Sequence, residues 1–232
     1  MTTVKILVLV VSHKQNEKYW DKILGRGVEN TIIVCGAKLD TDYSLIDNVL
    51  YVNCNDGYGG LPEKMIYAYN AILTIDKFQD ITHVLKVDDH DTMFTKDNIA
   101  RLERNGDSLL SNHHYIGQHI YSRAEGGHHL GKCPESRWNN RLYVGANACF
   151  TAGGFSYILD KTALKLISDE YSFSDLDKIR ENHIYEDLMI AVILKKHDII
   201  PTKAYYGIES IDPKYRCNVP NDIRKNFMNL PL

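Results

Sequence analysis

The stretch His83-Val84-Leu85-Lys86-Val87-Asp88-Asp89-His90-Asp91-Thr92-Met93-Phe94 constrains the fold more than any other. It opens as a short aliphatic run, the pattern of a buried strand. It then breaks into three carboxylates and a histidine within four positions. Carboxylates this close repel one another and need a cation or dedicated hydrogen bonds to stay ionised. Their oxygens suit hard divalent ions such as Mn²⁺ and Mg²⁺, which also bind substrate phosphates. A strand ending in such a cluster points to an α/β sheet with a metal–diphosphate site at its C-terminal edge, where open α/β folds place their ligands. A solvated acidic turn is the plainer alternative.

The chain before this strand predicts the rest of such a sheet. Lys5 to Ser12 is a continuous apolar run, expected as a central parallel strand. A polar helical stretch follows, with Tyr19, Trp20, Ile23 and Leu24 on one face. Thr31 to Cys35 and Val49 to Val52 read as further strands, and Pro62 marks a helix start. Lys64 to Phe78 carries Met65, Tyr69, Ile72 and Leu73 at helical spacing. The order β-α-β-β-α-β up to Asp88 matches a mononucleotide-binding half.

Beyond Phe94 the pattern predicts a helix over Asn98 to Arg104 and one or two strands within Leu109 to Tyr121. Ser122 to Asn140 is an irregular segment rich in Gly and His. Loops this long inside a compact domain are usually functional or mobile. The whole span 122–147 is expected to carry substrate selectivity and to close over the site. Two neighbouring histidines on a strand face opposite ways, so His113-His114 and His128-His129 are not read as metal chelates. Asp160 is a good N-cap for a helix from Lys161 to Ser168. Tyr185-Glu186-Asp187 opens an apolar helix, Leu188 to Lys195, and its two carboxylates complement the helix dipole. Ala204 to Ile208 is strand-like, with a polar tail after it.

At 232 residues the chain is long enough for one sizeable core. A net charge of −3 argues against a nucleic-acid partner. Five scattered cysteines with no Cys-x-x-Cys pair argue against a disulfide framework and point to a reducing compartment. The run Ile6 to Val11 is too short to span a bilayer, so the chain is expected to be soluble or cytoplasmic, of the kind a virus or microbe encodes. A Golgi-luminal location would require a separate anchor.

Five segments together resemble the β-1,3-glycosyltransferase family, which includes galactosyltransferases, N-acetylglucosaminyltransferases and fringe proteins. Ile6 to Ser12 is similar to that family's opening strand. Asp56-Gly-Tyr-Gly-Gly-Leu-Pro-Glu-Lys64 resembles its Asp-x-Tyr-x-Asn-Leu-x-x-Lys segment. Leu85-Lys-Val-Asp-Asp-His-Asp91 resembles its Lys-Thr/Val-Asp-Asp-Asp strand end. Cys149 to Leu159 and Tyr185 to Ala191 resemble its Gly-x-Gly and Tyr-Glu-Asp blocks.

The resemblance implies a single α/β domain of GT-A type, with a Rossmann-like, mainly parallel mixed sheet flanked by helices. Residues 1–94 would form the nucleotide-binding half and residues 95–232 the acceptor-binding half. It further implies a nucleotide-diphosphate sugar donor, UDP-linked in the first instance, and a glycan or glycoprotein acceptor. The cofactor would be Mn²⁺ or Mg²⁺, and transfer would invert the anomeric carbon. Asp187 takes the general-base position and Asp89 with Asp91 the metal position. Ser12, Lys64, Asp88 and Asp89 fall near the nucleotide sugar. Gly153, Gly154, Glu186 and Trp138 are assigned to the lining of donor and acceptor.

The family's third consecutive aspartate is replaced here by His90, with Asp91 after it. A register through Asp88, Asp89 and His90 therefore competes with Asp89-x-Asp91. No histidine follows His197, where many relatives have a further metal ligand. A sugar-nucleotide nucleotidyltransferase would need a Gly-rich, basic first loop, whereas here it reads Ser12-His-Lys-Gln-Asn-Glu17. A non-catalytic, metal-dependent carbohydrate-binding module is the remaining alternative, and it would have no need of Asp187.

Overall fold

The computed structural model describes residues 3–89 and 92–210. The strands are β1 (Ile6–Val11), β2 (Thr31–Ala37), β3 (Tyr43–Ile46), β4 (Val49–Asn53), β5 (His83–Asp88), β6 (Thr92–Met93), β7 (Tyr115–Gly117), β8 (Ile120–Tyr121), β9 (Phe150–Thr151), β10 (Ser156–Asp160), β11 (Thr202–Lys203) and β12 (Glu209–Ser210). The helices are α1 (Trp20–Leu24), α2 (Leu61–Thr74), α3 (Lys96–Asn105), α4 (Asp107–Leu110), α5 (Lys161–Glu170), α6 (Leu176–Asn182) and α7 (Glu186–Lys195).

Eight strands form one sheet in the order β11-β7-β10-β5-β1-β2-β4-β3. Its centre, β5-β1-β2-β4, is parallel, while β10 runs antiparallel to β5 and β3 antiparallel to β4. Parallel strands are buried on both faces, which explains why β1 and β5 read as unbroken apolar runs. Alternate residues of β1 enter separate cores: Leu7, Leu9 and Val11 pack with α2, α5 and α7, while Ile6, Val8 and Val10 pack with α1 and α3. The result is a mixed α/β domain with a large, mostly parallel sheet between two helical layers.

Several expectations change in detail. The helix placed over Lys64 to Phe78 is α2, which begins at Leu61 and ends at Thr74; Ile75 turns extended and a 3₁₀ turn covers Asp76–Phe78. Ala204 to Ile208 is not a strand; the short β11 and β12 flank it. Tyr206 and Ile208 are buried, and Tyr206 is held through Gln118 and Ser156 rather than by a ladder. Asp160 caps α5 as expected, accepting from the Ala163 N–H at 2.8 Å.

The span 122–147 is irregular but has its own anchor. Cys133, Trp138, Tyr143 and Ala148 are buried and join the core on the α2 side. The His129 imidazole bridges the Tyr185 hydroxyl (2.6 Å) and the carbonyls of Trp138 and Arg141 (2.9 Å each). Although the segment is rich in Gly and His, it gains an apolar anchor because the rings of Trp138, Tyr143 and Tyr185 pack together.

Candidate active site

The register of the central strands fixes where the site lies. Val11 pairs with Asp88 and Val87 with Ser156, so the C-terminal ends of β1 and β5 meet the segment that precedes β10. Two polar clusters form at this edge, one on each side of the β5 end.

The first cluster surrounds the end of β1. The Ser12 hydroxyl donates to Asp89 Oδ2 at 2.5 Å and accepts from Trp20 Nε1 at 2.8 Å. Asn16 Nδ2 donates to the same carboxylate oxygen at 2.8 Å. Lys64, 1% exposed, donates to the Ser12 carbonyl at 2.7 Å and to Asp56 Oδ1 at 2.8 Å. Asp56 also accepts the N–H groups of Gly36 and Lys14, at 2.7 Å each. A Cβ on Gly36 would lie 2.7 Å from the Asp56 Cα, so this approach admits only glycine.

The second cluster faces the helix layer of α2, α5 and α7. Lys86 sits mid-strand on β5, 2% exposed, and its ammonium contacts Asp88 Oδ1 (2.6 Å), Glu186 Oε1 (3.0 Å) and the Gly153 carbonyl. It also lies 5.7 Å from the ring centroid of Tyr157, its partner in register on β10. Burial opposes the charge on Lys86, but Asp88 and Glu186 offset it and hold the ammonium pKa above its usual value. Burial pushes the Glu186 carboxyl up to about 7; Lys86 pulls it down, while Asp187 and Asp88 raise it further. The second Glu186 oxygen accepts from the Tyr157 hydroxyl at 3.2 Å, and that hydroxyl meets the Tyr69 hydroxyl at 2.8 Å.

Asp187 heads α7 beside this network. Its Oδ2 accepts the Gly153 N–H (2.9 Å) and its Oδ1 the Leu188 N–H (2.8 Å). Burial raises its pKa, and these two N–H groups and Lys86 pull it back down. A Cβ on Gly153 would lie 2.3 Å from Glu186 Oε1 and 2.9 Å from Asp187 Cβ. The glycine is thus what lets α7 approach the β9–β10 turn. Glu186 and Asp187 do stand in the first turn, as the dipole account requires. Glu186 is nevertheless an inward ion-pair member rather than a solvated cap.

A cleft of about 390 Å³ opens over this second cluster. Lys86, Asp88, Gly153, Gly154, Glu186 and Asp187 line its floor, with Tyr58, Tyr121, Phe150 and Tyr185 on its walls. Of the residues singled out by sequence, Asp88, Gly153, Gly154, Glu186 and Asp187 meet here. Ser12, Lys64 and Asp89 gather in the adjoining first cluster. Trp138 does not line the cleft: it is 7% exposed, packs on Tyr143, and donates from Nε1 to the Arg180 carbonyl.

Lys86, Asp56, Asn16 and Tyr157 had no assigned role in the sequence reading. A lysine inside an apolar strand was the available signal, because a buried ammonium must be paired. Among the described residues no three His, Cys, Asp or Glu side chains form a metal site, and no helix is long and apolar enough to cross a membrane. His90 and Asp91, the competing metal positions, lie outside the described residues. No protein-family model matches the chain, and no curated protein matches it.

Proposed function

We propose that the protein is a metal-dependent, inverting glycosyltransferase of GT-A type. It would move a sugar from a nucleotide-diphosphate donor, a UDP-sugar in the first instance, to a hydroxyl of a glycan or glycoprotein. The observation that carries this reading is the placement of Asp187. Its carboxylate stands at the head of α7 in a cleft, oriented by two backbone N–H groups, above a floor that includes Asp88. Burial makes Asp187 a stronger base than a solvated aspartate. In the reaction the acceptor oxygen bonds to the anomeric carbon and the bond from that carbon to the diphosphate oxygen breaks. The hydroxyl proton passes to Asp187.

The first cluster has the chemistry of a nucleotide end, with Lys64 and Asp56 fixing the β1 terminus beside Asp89. Carboxylate oxygens are the donors Mn²⁺ and Mg²⁺ prefer, and Ser12 and Asn16 orient Asp89 from behind as outer-shell partners do. Asp89 and Asp91 would hold the ion, which would supply charge neutralisation for the departing diphosphate. β5 lies between β1 and β10, so both clusters open on the edge of one sheet, which is compatible with a donor and an acceptor meeting there.

The test is a screen of UDP-sugars with Mn²⁺ for nucleotide release, alongside thermal shift with UDP. Binding to the native state alone raises the melting midpoint. Metal-dependent stabilisation by UDP together with release from one donor is expected. Stabilisation by glycans without any nucleotide response would favour the binding-module reading.

A further inference from the structure

The irregular segment 122–147 carries an outward face that the cleft does not use. Leu142 and Val144 are 62% and 86% exposed, while the ring of Tyr143 between them is buried. Leu130, 43% exposed, joins them. A Cβ on Gly127 would stand 3.4 Å from a Leu130 methyl and 3.5 Å from a Leu142 methyl, so both leucines flank one glycine. Single exposed aliphatics are ordinary, but several gathered at one place mark a surface that meets something apolar. The segment does have a core to bury residues in, since Cys133, Trp138 and Tyr143 enter it.

Cations stand around these side chains. His129 Nε2 bonds the carbonyls of Trp138 and Arg141, so the backbone next to Leu130, Arg137 and Leu142 converges on one imidazole. Lys132, Arg137 and Arg141 are exposed, and among the described residues none is paired with a carboxylate. Arg137 lies over the Trp138 ring at 4.9 Å and Lys132 over the Tyr58 ring at 5.6 Å. Residues 126–147 hold these three cations and a single carboxylate, Glu135, in a chain whose net charge is −3. Glu135 Oε2 already accepts from Asn55 Nδ2 at 3.0 Å. The apolar patch therefore sits in a local excess of positive charge on an acidic protein.

That combination fits the interface of a bilayer. Projecting aliphatics enter the acyl boundary, while Lys and Arg heads stay among anionic headgroups and their stems follow the apolar side chains. Exposures as high as those of Leu142 and Val144 belong to projecting side chains. A peptide helix or strand would instead need a groove or a free sheet edge. We propose that Leu130, Leu142 and Val144, ringed by Lys132, Arg137 and Arg141, dock the protein on an anionic lipid surface. Arg123, Glu125 and His128 of the same segment line the cleft, so the docked segment brings the cleft mouth beside the membrane. This docking is independent of the transfer reading and of what the cleft binds.

The test sediments the full chain with vesicles of phosphatidylcholine alone, or of a two-to-one mixture of phosphatidylcholine and phosphatidylserine. Binding to the anionic vesicles is expected, with little to phosphatidylcholine alone. It should fall as salt rises, because exposed charges are screened. The double variant Leu142→Asn, Val144→Asn should bind about tenfold more weakly, the effect of losing roughly 60 Å² of apolar contact. Lys132→Gln with Arg141→Gln should cost about fivefold per cation and flatten the salt dependence. Ile200→Asn, at an exposed aliphatic outside the segment, should bind like wild type. All these side chains are exposed, so melting midpoints near wild type separate lost docking from lost fold. The proposal is overturned if wild type fails to bind anionic vesicles at low salt, or if the Leu142, Val144 variant binds like wild type. Where that variant does not fold, the Lys132, Arg141 variant decides, and unchanged binding there overturns the proposal. Equal weakening by Ile200→Asn removes the patch as the docking site, and equal, salt-insensitive binding to both vesicles removes the anionic surface; either result overturns it.

Discussion

The two polar clusters flanking the β5 end differ in charge balance. Around Ser12, Lys64 and Asp56 form a pair, and backbone N–H groups and the neutral side chains of Ser12 and Asn16 donate to Asp56 and Asp89 respectively. Around Lys86, one ammonium serves Asp88 and Glu186, with Asp187 close enough to feel it. The first cluster, one lysine against two carboxylates, has the makings of a rigid frame; the second sets one lysine against three. In the second, burial first and neighbouring carboxylates second make Glu186 and Asp187 more basic. Basic carboxylates at a cleft are what proton abstraction needs, and carboxylates held by fixed donors are what anchoring needs.

The largest effect expected from this contrast is on Asp187. Asp187→Asn keeps the shape but removes the proposed base, so on the transfer reading the rate should fall about a hundred- to ten-thousand-fold. UDP binding, assigned to the other cluster, should stay. Single-turnover rates with saturating donor and acceptor measure the first and calorimetry the second. Transfer close to wild type would place the base elsewhere.

The two buried lysines sharpen the comparison on the side of stability. Lys86→Met strands Glu186, whose side chain is only 7% exposed, and also takes the ammonium from the partly exposed Asp88. Breaking such a network by one partner costs about 3–5 kcal/mol. Lys64→Met leaves Asp56 with two N–H donors and a quarter of its side chain exposed, so about 1–3 kcal/mol is expected. Adding Glu186→Gln should recover part of the Lys86→Met loss. Denaturant unfolding of the four proteins tests the ranking, and equal costs for the two lysines would erase the distinction between the clusters.

Much of this frame was legible in the sequence. β1 and β5 stand out because strands buried on both faces must be apolar throughout. β3 was not foreseen: it is an edge strand whose residues are only partly buried, so no pattern marks it. α6, Leu176–Asn182, also escaped, because it buries only Ile179. In the site, Asp88, Gly153 and Asp187 were legible as motifs. Their meeting through Lys86 was not, since spacing along the chain does not show which carboxylate a buried lysine will reach. Trp138 reads as a site aromatic by type and proves to be the keystone of a loop.

The burial of Glu186 should also appear in the pH dependence of stability. The Glu186 pKa rises from 4.5 to about 7 on folding, so its contribution is complete below pH 4.5 and is lost as pH rises to about 7. His183, buried against Tyr171, moves the other way, from 6.5 to about 4, chiefly through burial. Its contribution is complete above pH 6.5 and is lost as pH falls to about 4. The two oppose each other with similar size, roughly 3 kcal/mol each over the full window. These two contributions therefore largely cancel between pH 4.5 and 6.5. Glu186→Gln should become more stable as pH rises there, and His183→Gln less stable. Parallel slopes in the two variants would contradict the opposed assignment.

The smallest effect compares two adjacent glycines at the boundary of the clusters. A methyl group on Gly153 would overlap Glu186 Oε1 at 2.3 Å and crowd Asp187 Cβ at 2.9 Å. Gly153→Ala must then push the head of α7 away or loosen the Lys86 contacts, at a cost of about 1–3 kcal/mol. The same methyl on Gly154 would meet Asp88 Oδ2 at 3.7 Å, an ordinary contact. Neither position has a positive φ, so backbone strain does not enter. Gly154→Ala should accordingly stay within about 0.5 kcal/mol of wild type. If Gly153→Ala lowers transfer more than UDP binding while Gly154→Ala does neither, the close approach at 153 is what sets Asp187 in place. If both variants behave alike, Asp187 is positioned by α7 itself and the glycine serves only the turn.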